Sequence, residues 1–243
     1  MTAVPGASRG PDPVRRMLAL ALDLADLDEA RSLAARLAPW FAVAKVGLEL
    51  FAAAGTDAVR ALASGGFEVF LDVKLHDIPE TVARASRVLG RSGARYVTLH
   101  ASGGEAMLAA GVSGLVAGAA EAGVSPPVAL AVTVLTSERD APADVLGARA
   151  SAARDAGCGG VVCAAVDLPV VRELAPGLLA VVPGTRPAGS SVHDQARVTT
   201  PGEAVAAGAG LLVVGRVVTR SGRPEEAAAA VAAEVGASLG RRA

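Results

Sequence analysis

A chain of 243 residues that is 52% apolar can bury a substantial core, as one large domain or two small ones. Its formal net charge of -1 argues against a general nucleic-acid or membrane-surface binder and leaves room for one small basic pocket. Only 2% of the residues are aromatic, so Ala, Val and Leu must do the packing.

Residues 1–16 hold three prolines and two glycines and read as a flexible N-terminal leader. Arg15-Arg16 ahead of the apolar stretch 17–22 superficially resembles a twin-arginine signal. That stretch stops at Asp23, short of the roughly 7–15 residues such a signal needs, and reads instead as a core strand. No segment approaches the roughly 18 consecutive apolar residues of a membrane span. Further strands are expected over 41–46, 69–73, 96–99, 128–134, 160–163, 179–182 and 211–214. Between and after them, Ala-rich helical patterns cover 27–37, 56–64, 79–91, 104–122, 142–156, 168–174, 201–207 and 224–239.

Proline opens several of these helices, where its missing N–H is harmless (Pro79, Pro201, Pro224). Glycine closes several others (Gly65, Gly123, Gly208). Short, fully apolar strands alternating with helices imply a parallel sheet covered on both faces. Eight such units in about 220 residues suit a (β/α)8 TIM barrel of class α/β, with an open doubly wound sheet as the alternative that periodicity does not separate. No linker-like break follows the leader, so 17–243 reads as a single barrel domain.

The polar residues gather at one end of these units. Asp23, Lys45, Asp72 with Lys74, His100, Thr136, Pro183 with Arg186, and Gly215 with Arg216 all lie at or just past strand C-termini. That is the face where barrel enzymes place their chemistry. Within Phe70-Leu71-Asp72-Val73-Lys74-Leu75-His76-Asp77-Ile78, an apolar run delivers Asp72 and Lys74, which point the same way on a strand. Asp77 follows just past the strand end, and Lys45 ends an earlier apolar run. Buried charge is costly unless paired, so this Lys-Asp-Lys-Asp set reads as a reaction site rather than a stability device. A lysine between two carboxylates is placed to give a proton to a carbanion, and the adjacent negative charge to repel a substrate carboxylate. The plain alternative is a solvated ion pair at a strand end, which the buried character of 69–73 opposes.

Gly215 permits close backbone approach to a phosphate, and Arg216 can grip one in a forked geometry. Loops after the seventh and eighth strands are the usual barrel phosphate site. The plain alternative is a tight turn with a surface arginine. Between Pro183 and Pro201 a long polar loop reads as a lid, from which Arg186 and Gln195 can reach the phosphate. Gln195 is equally well a solvated loop residue. His76, His100 and His193 show no metal-binding spacing, so no metal ligand is assigned, and no dinucleotide or ATP fingerprint is present. Cys158 and Cys163 read as buried, inert thiols that fit a reducing cytosol.

Extended through Pro79-Glu80-Thr81, the run from Phe70 resembles the signature of the bacterial-type orotidine 5'-phosphate decarboxylases. The likeness spans Leu20 to Arg220 and includes Leu22-Asp23, Lys45-Val46-Gly47-Leu48-Glu49-Leu50, Val97-Thr98-Leu99-His100-Ala101 and Val132-Thr133-Val134-Leu135-Thr136-Ser137. It continues through Gly160-Val161-Val162-Cys163, Pro183-Gly184-Thr185-Arg186-Pro187, His193-Asp194-Gln195 and Val214-Gly215-Arg216. The resemblance implies a cytoplasmic homodimeric barrel that converts orotidine 5'-monophosphate to uridine 5'-monophosphate in pyrimidine biosynthesis, without metal or organic cofactor. It implies that Lys74 protonates C6 of the pyrimidine, that Asp72 sits against the substrate carboxylate, and that Lys45 anchors Asp72 and a ribose hydroxyl. Asp23 would bind another ribose hydroxyl, with Asp77 and Thr81 supplied across the dimer interface. Thr136 and Pro183 would contact the base; Arg186, Gln195, Gly215 and Arg216 the phosphate.

Two other readings stand beside it. Magnesium-dependent sugar-phosphate decarboxylases or aldolases on related barrels share Asp-x-Lys-x-x-Asp but place glutamate where Lys45 stands, and a lysine there repels a divalent cation. A non-catalytic phosphate-binding barrel would keep Arg186, Gln195, Gly215 and Arg216 but lose a member of the charged set, all of which is present.

Overall fold

A computed structural model describes residues 12–134, 143–186 and 199–241. The strands are β1 (Leu18–Leu22), β2 (Val43–Val46), β3 (Glu68–Leu75), β4 (Tyr96–His100), β5 (Val128–Val132), β6 (Gly160–Val162), β7 (Leu179–Pro183) and β8 (Leu211–Val214). Each pairs in parallel with the next, and β8 returns to β1 through Leu18↔Leu212 and Leu20↔Val214, closing the barrel. That last pairing excludes the open doubly wound sheet.

Around the barrel run α1 (Pro13–Arg16), α2 (Leu27–Leu37), α3 (Leu48–Ala54), α4 (Thr56–Ser64), α5 (Pro79–Gly90), α6 (Gly104–Ala122), α7 (Ala143–Asp155), α8 (Leu168–Leu174), α9 (Pro201–Ala207), α10 (Arg216–Thr219) and α11 (Pro224–Gly240). Asp26 caps α2 by accepting from the Glu29 amide at 2.8 Å. Thr200 and Glu203 form a reciprocal capping box at the start of α9. Sequence periodicity passes over α3 and α10. The first is a short helix separated from α4 by Gly55 alone, whose φ of 56° turns the chain between them.

The leader expected over 1–16 is helical in its last part. Asp12 caps α1, the Ala42 amide donates to the Arg15 carbonyl at 3.0 Å, and Val14 packs against the core. Residues 13–16 thus pack against the N-terminal ends of β1 and β2.

Strand alternation sorts the core into two sets. Leu18, Leu20, Leu22, Ala44, Val46, Val69 and Leu71 face the helices. Ala19, Ala21, Val43, Phe70, Leu130, Val181, Leu211 and Val213 fill the barrel interior. Small Ala19 and Ala21 leave room for Phe70, whose ring meets Tyr96 edge-on with centroids 6.0 Å apart. This is how a chain with few aromatics fills a barrel.

Helices α5 and α6 pack through glycine. A Cβ at Gly90 would run into the Leu115 carbonyl, one at Gly114 into the Ala83 carbonyl, and one at Gly118 into the Arg87 carbonyl. The segment Ala101–Ala122 is long and apolar enough to cross a membrane by length and composition, contrary to the sequence expectation. In the fold its buried face, including Met107, Leu108, Gly111, Gly114 and Gly118, serves the barrel and α5.

Cys158 and Cys163 are both buried and unbridged. Burial pushes both thiols up to about 12, and Asp167 adds to the effect at Cys163. The folded state therefore favours the neutral thiols. That contribution to stability is fully present below an unfolded value of about 8.5 and is lost as pH rises toward the folded value. At about pH 8 the folded protein should leave both cysteines unmodified by Ellman's reagent, and unfolding in guanidinium should release both. Rapid modification of the folded protein would refute their inertness.

Candidate active site

The alternation that fills the barrel also builds its mouth. Asp23 is the next inward position after Ala21, Lys45 after Val43, Asp72 after Phe70, Pro183 after Val181 and Gly215 after Val213. Five strands thus aim five of the expected residues at one end of the barrel, the C-terminal end.

Four of the charged side chains form a continuous row. Asp23 Oδ1 lies 3.0 Å from Lys45 Nζ, Lys45 Nζ lies 3.5 Å from Asp72 Oδ2, and Asp72 Oδ1 lies 2.8 Å from Lys74 Nζ. Side-chain exposure orders them by depth: 9% for Lys45, 15% for Asp72, 32% for Lys74 and 58% for Asp23. The Asp72 carboxylate is therefore clamped between two ammonium groups, one on each oxygen, below the solvent surface. The desolvation cost of each charge is offset by an opposite neighbour. Gly47 is part of this arrangement, because a Cβ there would sit 2.7 Å from Asp23 Oδ1 and 3.1 Å from Lys45 Nζ.

Lys74 does not reach Asp72 along a regular strand. Pairing between β3 and β4 runs Leu71↔Val97 and then jumps to Leu75↔Leu99, so β3 bulges over Asp72–Lys74. Lys74 has φ 49°, the sole positive value outside glycine among the described residues. For a lysine such a conformation costs on the order of 1–3 kcal/mol and persists only where its surroundings enforce it. The Lys74 amide donates to Thr98 Oγ1 at 2.8 Å, and Thr98 Oγ1 donates to Asp72 Oδ1 at 3.2 Å. Thr98 is fully buried. Sequence reasoning assigned it no role. The signal was available, since Thr98 is the inward position after Tyr96 on β4.

Asp77 and Thr81 take no part in the ion pairs of the row. Both are exposed, and Asp77 Oδ1 accepts from the Ile78 amide at 2.6 Å. His76 stacks on His100 with ring centroids 5.4 Å apart, and His100 Nδ1 lies 2.7 Å from Ser102 Oγ. On the far side of the mouth, Pro183 ends β7, and the Arg186 amide donates to the Thr199 carbonyl at 3.2 Å. Gly215 follows β8 directly as the N-cap of α10, and Arg216, exposed, is the first residue of that helix. Thr136, Gln195 and His193 lie outside the described residues.

Among the described residues no group of three or more His, Cys, Asp or Glu side chains could hold a metal ion. The two carboxylates of the row have the Lys45 ammonium between them, so positive charge already occupies the place a cation would take. What the row can do is hold a fixed ammonium beside a fixed carboxylate. The first can give up a proton, and the second repels an incoming anion.

A closed parallel barrel with a paired, half-buried ionic row at the C-terminal ends of its strands defines a (β/α)8-barrel enzyme. The family model described as "Orotidine 5'-phosphate decarboxylase / HUMPS family" matches residues 16–231. A curated orotidine 5'-phosphate decarboxylase from Anaeromyxobacter sp. strain K is 47% identical over 232 residues, covering 91% of this chain and 98% of the relative. One from Paramagnetospirillum magneticum is 42% identical over 228 residues, covering 89% of this chain and 97% of the relative. The crystal structure of orotidine 5'-phosphate decarboxylase from Lactobacillus acidophilus superposes with a TM-score of 0.77 at 34% identity, covering 90% of this chain and 99% of that one. The chain belongs to the orotidine 5'-phosphate decarboxylase / HUMPS family.

Proposed function

We propose that the charged row carries out the decarboxylation with Lys74 as the proton donor. The reaction is the one that names the relatives: orotidine 5'-monophosphate loses carbon dioxide to give uridine 5'-monophosphate, a step of pyrimidine biosynthesis. The observation that carries the mechanism is the Asp72 carboxylate held between Lys45 and Lys74 at 3.5 and 2.8 Å.

A substrate carboxylate brought against Asp72 meets a negative charge that cannot move away. Breaking the bond between C6 and the carboxylate releases carbon dioxide and leaves the electron pair on C6. A proton from Lys74 Nζ forms the new C–H bond, and water restores the lysine. The ammonium is in place before charge develops on C6, so it stabilises the transition state more than the ground state and needs little reorganisation. The step then runs with no electron sink.

The remaining assignments extend this reading. Lys45 and Asp23 hold ribose hydroxyls, Pro183 and Thr136 the base, and Arg186, Gln195, Gly215 and Arg216 the phosphate. Asp77 and Thr81 serve the site of a partner subunit in a homodimer. Their exposure, beside an Ile78 that is 65% exposed, suits a surface that a second copy covers. The unbridged thiols suit a cytoplasmic setting.

Loss of orotidine 5'-monophosphate, followed by ultraviolet absorbance with and without EDTA, tests the reading. Turnover that EDTA leaves unchanged is expected, because Lys45 fills the cation's place. Turnover abolished by EDTA and restored by magnesium would favour the metal-dependent sugar-phosphate relatives. A folded protein that leaves the nucleotide intact would overturn the decarboxylase reading.

A further inference from the structure

The reaction scheme leaves Thr98 unused, yet its hydroxyl touches both halves of the reacting pair. We propose that Thr98 is a positioning residue that holds Lys74 and Asp72 in register across the bulge of β3. This rests on the decarboxylase reading and deepens it.

A hydroxyl has one proton to donate and two lone pairs to accept with. At Thr98 the Lys74 amide, 2.8 Å away, takes up one lone pair, and the proton goes to Asp72 Oδ1 at 3.2 Å. The two bonds agree in direction and form a short chain from the Lys74 backbone through Thr98 to the Asp72 carboxylate. That same carboxylate oxygen accepts from Lys74 Nζ at 2.8 Å, so backbone, hydroxyl, carboxylate and ammonium close a ring.

The ring spans the place where ladder pairing lapses. Between Leu71↔Val97 and Leu75↔Leu99 the β3 backbone is out of step with β4, and the Lys74 amide finds a side-chain oxygen there. Thr98 itself stays in register with Leu130 of β5 and is fully buried, so its hydroxyl is a fixed point. A buried amide needs a partner, and the left-handed Lys74 backbone presents its amide to this one. Without the hydroxyl, the Lys74 amide and one lone pair of Asp72 lose a partner together. Lys74 is then free to relax toward an ordinary strand conformation, which would swing Nζ away from the reacting carbon.

Thr98→Val keeps the shape and removes the hydroxyl, whereas Thr98→Ser keeps the hydroxyl and removes a methyl. With orotidine 5'-monophosphate as substrate, Thr98→Val should lower kcat by about 10- to 100-fold with KM within about threefold, because misplacing a reacting group costs rate more than binding. Thr98→Ser should restore kcat to within about threefold of the unaltered protein, a rescue that packing alone would not produce. If Thr98→Val does not fold, Thr98→Ala compared with Thr98→Ser makes the same test. Equal losses in the hydroxyl-bearing and hydroxyl-free variants would overturn the role. So would a Val variant with undiminished kcat, or one in which KM alone rises. Absence of turnover by the unaltered protein would instead overturn the decarboxylase reading, and the Thr98 role with it.

Discussion

Replacing Lys74 with Ala is expected to lower turnover of orotidine 5'-monophosphate by at least about 1,000-fold while leaving nucleotide binding intact. The expectation rests on position. Lys74 Nζ contacts Asp72 Oδ1 at 2.8 Å and is half-exposed at the barrel mouth, whereas Lys45 is buried between Asp23 and Asp72. Lys45 is thus tied up by two carboxylates, and Lys74 is the ammonium open to a ligand. Its removal takes away the proton and leaves the Asp72 carboxylate with Lys45 as its one charged partner and Thr98 as a hydrogen-bond donor. Loss of the lysine should leave the residues proposed to hold base and phosphate in place, since Pro183, Gly215 and Arg216 come from other elements. Binding of uridine 5'-monophosphate by calorimetry, alongside turnover, separates the two effects. Residual turnover above about one per cent in a clean preparation would remove Lys74 as the proton donor.

The same variant tests the shared site. Asp77 is exposed and makes no ion pair with the row, so if it serves the partner's site as proposed, inactive Lys74→Ala mixed with inactive Asp77→Ala should regain activity through hybrid dimers that hold one intact site. No recovery despite demonstrated subunit exchange would count against a site built from two copies.

Gly118→Ala is expected to destabilise the fold by about 3 kcal/mol or more, a large effect for one added methyl group. In most helices that substitution stabilises by roughly 0.5–1 kcal/mol, because alanine restricts the unfolded chain. Here the new Cβ meets the Arg87 carbonyl of α5, which is backbone and has no rotamer to escape into. Gly114 and Gly90 face carbonyls across the same seam, so α5 and α6 would have to separate along their length. Gly236 is the control. It lies in α11, and its Cβ would meet Val14 Cγ2 at an ordinary 3.6 Å, so Gly236→Ala should be neutral or mildly stabilising. Chemical denaturation of both variants makes the comparison. A Gly118 variant as stable as the Gly236 variant would show that the two helices can slide apart at little cost. Because α5 begins two residues after Asp77, the displacement should also reach the residues proposed to serve the partner's site.

Much of this architecture is legible in the linear chain. Runs such as 18–22 and 211–214 are apolar at every position, as strands buried on both faces must be, and the structure forms strands over the same residues. The helices over 27–37, 56–64 and 104–122 also match to the residue, each bounded by a cap or a glycine. Part of the charged set was legible too, while Asp77, expected within it, makes no ion pair with the row, and Asp23 takes that place. Spacing by two residues at the end of an apolar run predicts a shared face, and Asp72 and Lys74 do meet, although through the bulge of β3 and the left-handed Lys74 backbone rather than by regular alternation.

Other features depend on partners far away in the chain. Closure of the barrel is a pairing of Leu18 with Leu212, which no local window contains. The apolar helix Ala101–Ala122 has the composition of a membrane span, and only its glycine seam with α5 and its contacts with the barrel show where its apolar face goes. Gly47 looks like an ordinary turn residue until Asp23 and Lys45 are seen to occupy the space its side chain would need.

The sequence by itself determined the order of strands and helices, the end of each strand at which polar residues gather, and the placing of Lys45, Asp72 and Lys74 at that end. These follow from periods of two and 3.6 residues and from the cost of burying charge, all of which act over a few neighbouring positions. Only the tertiary structure decided that the sheet closes, that β3 bulges, that Lys74 adopts a left-handed backbone, and that Thr98 joins it to Asp72. Each of these is a contact between strands brought side by side by folding, and its energy depends on distances that sequence spacing does not encode.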